Sequence, residues 1–171
     1  MLGLLIAAAV AGYDAPECRV AFEREAPASA AAPAALLRLR PACPLSRAST
    51  AAAVAALLAQ AEDDRITLAL GRLERYPWLS ELLARQASSS RRWNLAEGRP
   101  AEGGDNAYVA AALRGMPEFT ALFGRWRIEG VSTEKVLKKR AAELRLPAGA
   151  PVPPDAGLPY DAIVWVRLAR P

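Results

Sequence analysis

Alternation of large and small or polar side chains is clearest in two stretches of this chain. From Cys18 to Arg24, Cys18, Val20 and Phe22 alternate with Arg19, Ala21 and Glu23, the period of a strand with one buried face. Over Arg65–Leu73, Ile66, Leu68 and Leu70 alternate with Thr67, Ala69 and Gly71, predicting a strand with one large and one small face. A small face lets a helix or another backbone come close. Arg125–Val131 places Trp126 and Ile128 on one face as a further strand. Near the end, Ile163, Val164, Trp165 and Val166 are consecutive, so Asp161–Leu168 reads as a central strand covered on both sides. Beyond Ser132 two readings stand. Val131, Thr133 and Val136 continue an extended segment, whereas Val136, Leu137, Ala141 and Leu144 fit helical spacing.

Helical periodicity fills the intervals. Ser49 or Thr50 caps a predicted helix over Ala51–Ala61, with Val54, Leu57 and Leu58 on one face and Glu62-Asp63-Asp64 ending it. Pro77 suits the first turn of a helix whose stripe is Trp78, Leu79, Leu82 and Leu83, fading into Ser88-Ser89-Ser90. Asp105-Asn106 caps a short helix through Leu113 that stops at Gly115. Pro117 starts another, carrying Phe119, Leu122 and Phe123 before Gly124. Three stretches read as connections: the Ala/Pro/Ser segment 26–35, the segment 91–105, and the proline-rich loop 147–159. This predicts a single small α+β domain with a mixed or antiparallel sheet of about four strands and four to five helices.

Composition narrows the chemistry. The chain of 171 residues has 22 basic and 18 acidic side chains, two cysteines and no histidine. Without imidazole, neither a Ser-His-Asp nor a Cys-His nucleophile system can be built. The 53% hydrophobic content is inflated by 39 alanines; 23 leucines, a few Val and Ile and eleven aromatics make the core. The net charge of +4 is interrupted by acids throughout, even around Lys138-Lys139-Arg140, so a nucleic-acid partner is not expected.

The N-terminus changes the picture more. Leu2–Ala11 is a short apolar run ending in Ala9-Val10-Ala11 before Gly12, the form of a secretory leader with its cleavage site over residues 1–11. It is too short to span a bilayer, leaving a mature domain over 12–171 with no membrane span expected. It carries no Lys or Arg, and a buried N-terminal strand or helix is the alternative. A periplasmic or secreted destination makes Cys18 and Cys43 a natural disulfide pair around the Ala/Pro segment.

Candidate sites are few. Ser132-Thr133-Glu134-Lys135 matches S-x-x-K without its companion elements, so a strand-to-helix cap is favoured over a nucleophile. Gly103-Gly104-Asp105-Asn106 suits a helix cap better than an anion site. Glu62-Asp63-Asp64 lacks a calcium-loop pattern, and no nucleotide motif occurs; neither metal nor cofactor is predicted. The expected ligand-binding region is Arg91, Arg92, Trp93 and Asn94 with Asp105 and Asn106, where the Trp93 indole at the mouth of a long loop could stack on a sugar, peptide or arginine. No residue is assigned a catalytic role. The functional expectation is a small exported envelope protein that acts by binding or structure on an envelope protein or polymer. The alternative is a carboxylate-dependent hydrolase of an envelope glycan, drawing on Glu81, Asp105 and Glu134. Oligomeric state is not predicted.

Overall fold

A computed structural model describes residues 6–9, 18–27, 34–93, 106–136 and 161–171. In chain order the elements are β1 (Ile6–Ala9), β2 (Arg19–Glu25), β3 (Ala35–Pro41), α1 (Arg47–Ala59), β4 (Arg65–Leu70), a 3₁₀ turn over Leu73–Arg75, α2 (Pro77–Trp93), α3 (Ala107–Gly115), α4 (Pro117–Phe123), β5 (Arg127–Val136) and β6 (Asp161–Ala169). The fold is α+β, with one mixed sheet in the order β1-β2-β3-β4-β6-β5. Only β3 and β4 run parallel, joined by α1 as the crossover; all other neighbours are antiparallel.

Among the described residues six strands replace the expected four or so. Strand β1 lies where a leader was predicted and pairs with β2 from Ile6↔Phe22 to Ala9↔Arg19. Strand β3 begins inside the Ala/Pro segment. Its Ala35, Leu37, Leu39 and Pro41 are buried while Arg40 is exposed and Leu36 and Arg38 are half-buried, an alternation hidden by leucine on both faces. Segment 91–105 is not all loop either, because α2 continues through Trp93. The extended reading beyond Ser132 holds as far as Val136, where β5 ends; the helical reading over Leu137–Leu144 and the loop 147–159 fall outside the described residues.

Helix α1 starts earlier than expected. Ser46 is its cap, its Oγ accepting from the Ser49 N–H at 3.1 Å. Ser49 and Thr50 are instead buried inside the helix. The Thr50 hydroxyl donates to the Ser46 carbonyl at 2.8 Å and accepts from the Trp78 indole Nε1 at 3.0 Å, joining α1 to α2. Phe119 packs between Trp78 and Phe123, with ring centroids 5.6 and 5.5 Å away, and Arg47 pairs with Glu118 at 2.9 Å. These contacts tie α1, α2 and α4 into one helical layer, and α3 rests on α4 and β5.

That layer covers one face of the sheet. Val20 and Phe22, Leu37 and Leu39, Ile66, Leu68 and Leu70, Val164 and Val166, and Ile128 and Val131 point into a single core with it. Strand β6 is central, as expected, between β4 and β5. Its second face is not sealed: Ala162, Val164, Val166 and Leu168 are buried, but Ile163 and Trp165 are half-buried and Arg167 is exposed. Consecutive apolar residues therefore marked a strand with one wet face, because indole and isoleucine tolerate partial exposure.

The cysteines meet by strand register. The β2–β3 ladder pairs Val20 with Pro41, and two steps further out the same register sets Cys18 opposite Cys43. They form a disulfide with Cα atoms 5.8 Å apart. At the same end of the strands, the Asp161 carboxylate accepts from the N–H groups of Leu73 and Ala162, each at 2.9 Å, and fixes the 3₁₀ turn against β6.

Candidate functional site

The expected ligand region is only partly described. Arg91, Arg92 and Trp93 form the last turn of α2, and their side chains, like Asn94 and Asp105, lie outside the described residues. Asn106 is described in full. It caps α3, its Oδ1 accepting from Val109 N–H and from Gln86 Nε2, both at 3.1 Å. Its Nδ2 donates to Gln86 Oε1 at 3.0 Å and to Thr133 Oγ1 at 3.1 Å. Two lone pairs and two N–H groups are all that an amide offers. Asn106 thus spends its whole side chain joining α2, α3 and β5.

The remaining candidates fall on separate parts of the molecule. Glu81 is exposed on α2 beside Arg85, 3.9 Å away, while Glu134 lies on β5 on the opposite side of the sheet. These two carboxyls do not face each other, as a glycosidase pair must. Ser132 and Lys135 sit on a strand, so the helical turn that S-x-x-K requires is missing. Around Glu62-Asp63-Asp64, Asp63 pairs with Arg24 at 2.8 Å. Arg170 donates to the carbonyls of Ala61 and Asp63 and stacks 4.8 Å above Trp126. That acidic turn is a clamp between α1, β4 and the C-terminal strand. Among the described residues no acidic or cysteine cluster could hold a metal ion.

One surface with binding character was not anticipated: the face of the sheet away from the described helices. Register places Glu23, Arg38, Ala69, Trp165 and Ser132 in one row across β2, β3, β4, β6 and β5. Ala69 carries only a methyl between its larger neighbours, so the Arg38 guanidinium comes within 6.0 Å of the Trp165 ring centroid. The indole Nε1 donates to Glu134 Oε2 at 3.1 Å, fixing the ring's orientation. Arg40 and Glu23 pair at 2.6 Å beside it. The small face foreseen for β4 is thus filled by neighbours within the sheet rather than by a helix. Gly71 belongs to this arrangement, since a Cβ there would stand 2.7 Å from Ile163 Cγ1. A shallow open cleft adjoins the row, lined by Arg65, Thr67, Glu129 and Arg167.

Sequence reasoning missed this surface because it needs β3. The available signal was the alternation of Ala35, Leu37 and Leu39 with Arg38 and Arg40. In the core, burial pushes the Tyr76 hydroxyl well above the usual tyrosine range. No protein family, curated protein or solved structure matches this chain.

Proposed function

We propose that this is a small exported envelope protein that works by binding, and that the face of its sheet away from the described helices is the contact surface. The observation that carries this reading is the row in which Arg38, Ala69 and Trp165 combine a half-buried indole with a guanidinium and a flanking carboxylate. An indole held by a hydrogen bond at its edge offers a rigid apolar plane to a partner at little entropic cost. Charged groups of both signs beside it supply directional bonds to a polar polymer or a protein surface. The Cys18–Cys43 disulfide supports an oxidising destination. No helix among the described residues is long and apolar enough to cross a membrane, which is compatible with release after leader removal.

The test has two parts. Cell fractionation should recover the protein outside the cytoplasm; recovery of a reduced, cytoplasmic protein would sink the export reading. Purified protein should then co-sediment with isolated envelope material. Trp165→Ala and Arg38→Ala should each weaken binding by roughly tenfold, the usual effect of truncating an aromatic or arginine anchor. Glu81→Ala, on the helical side, should bind normally. Undiminished binding by both sheet-face variants would remove this surface from consideration.

A further inference from the structure

Leader removal after Ala11, the step on which the proposed export rests, would also remove β1 and uncover the outer edge of β2. We propose that the mature protein pairs β2 with β2 of a second copy, antiparallel about a two-fold axis at Phe22, so that two sheets join edge to edge.

The first support is the character of the two sheet edges. Natural sheets blunt exposed edges with proline, bulges, charged side chains or covering groups, and like charges repel where opposite charges on a second strand would not. Strand β5 does so: its register shifts between Ile128 and Gly130, and the Asn106 N–H donates to the Val131 carbonyl. Strand β2 contains no proline or glycine, and its register against β3 is unbroken from Val20↔Pro41 to Glu25↔Leu36. Its outer edge already accepts an antiparallel strand, β1, over four residue pairs. A second β2 would present the same backbone groups to that edge.

Charge then selects the second copy and the register. Only every other residue of a strand turns its N–H and C=O toward a given edge. Symmetric pairing therefore needs partner numbers with an even sum. Centred on Phe22, the strand pairs along its whole length, with Arg19 opposite Glu25 at both ends and Val20 opposite Arg24. Arg19 and Glu25 are both exposed. Centring on Glu23 would set two carboxylates directly opposite each other, which is unfavourable. Centring on Ala21 would oppose Arg19 to Glu23, a carboxylate already held by Arg40 at 2.6 Å, and would leave Arg24 and Glu25 without β2 partners. The Phe22 register alone joins opposite charges at both ends without competing with a bond inside the protomer.

The experiment uses protein recovered from the exported fraction, its intact mass giving the N-terminus and sedimentation equilibrium giving the assembly. The expected result is a chain starting at Gly12 that dimerises with rising concentration. Arg19→Glu should weaken the dimer by roughly tenfold, since each dimer converts two attractive cross-strand pairs into repulsive ones. The double reversal Arg19→Glu/Glu25→Arg should restore it, which also excludes a simple folding defect. The full chain, made in an oxidising extract without membranes, retains β1 and should remain monomeric. A cleaved chain that stays monomeric, or a dimer indifferent to Arg19→Glu, overturns the pairing and leaves export standing. An exported chain that keeps residues 1–11 overturns leader removal and, with it, the pairing.

Discussion

Replacing Tyr76 with phenylalanine removes one oxygen from the centre of the molecule, and the structure predicts that stability rises. Tyr76 is 0% exposed, and among the described residues its hydroxyl has no hydrogen-bond partner. A buried polar group left unpaired costs about 1–3 kcal/mol of desolvation. Deleting the oxygen recovers that cost. It also leaves a void of roughly 10–15 Å³, which at about 24 cal/mol per Å³ takes back only ~0.3 kcal/mol. The net expectation is a gain near 1 kcal/mol, or about 2–4 °C in Tm for a chain of this size. The pH dependence gives a second reading. Burial raises the folded pKa of Tyr76, so above the unfolded value of 10.0 the unfolded chain loses a proton that the native chain keeps. Wild-type stability must therefore fall as pH climbs past that value, by up to about 1.4 kcal/mol per unit for this group. Tyr76→Phe lacks that proton, so its advantage should widen on the alkaline side and stay constant between neutrality and the onset of titration. Thermal melts of both proteins across that range measure it. A variant destabilised by 1 kcal/mol or more, or an advantage flat with pH, would show that the hydroxyl has a partner and refute the argument.

Two other perturbations follow from single contacts. Replacing both cysteines by serine opens a covalent loop with a sequence separation of 25 and should cost about 3.5 kcal/mol by loss of loop-closure entropy, read as a lower denaturant midpoint that reductant reproduces in the wild type. Asn106→Ala removes the cap of α3 together with both bonds to Gln86 and should cost about 2 kcal/mol, with a double-mutant cycle against Gln86→Ala giving a non-zero coupling.

Strands with one apolar face were legible because the period of 2 is local information. That is why β2, β4 and most of β5 follow from their own side chains. Strand β3 was obscured by Leu36, which puts leucine on both faces, and by the Ala/Pro run leading into it. Strand β1 has no alternation at all; Ile-Ala-Ala-Ala is compatible with a leader or with an edge strand, and nothing in its own side chains announces the pairing with β2. The disulfide was legible for a different reason: two cysteines allow only one intramolecular pairing. The Asn106 cap could be read from its position before an apolar helix, but its bonds to Gln86 and Thr133 depend on how α2 and β5 approach it. The Arg38–Trp165 contact lay furthest out of reach. It requires β3 to be recognised, β4 and β6 to be adjacent, and the residue between them to be no larger than Ala69.

The position of the disulfide acquires a reason when the edge of the sheet is considered. With β1 in place, β2 is held from both sides. Once a leader ending at Ala11 is gone, β2 keeps only its ladder to β3, and its first residue lies close to the new N-terminus, where strands fray most readily. Cys18 sits one residue before that strand and bonds to its cross-strand neighbour Cys43. The bond pins the end of the ladder nearest that terminus, where Cys18, Val20 and Phe22 are buried, while Arg24 and Glu25 at the far end are exposed. A strand clamped in this way keeps a fixed register and a straight outer edge, the two properties that pairing with a second copy would demand. The covalent staple and the edge of β2 are therefore consistent parts of one arrangement, in which the proposed leader removal would expose a strand already secured on its inner side.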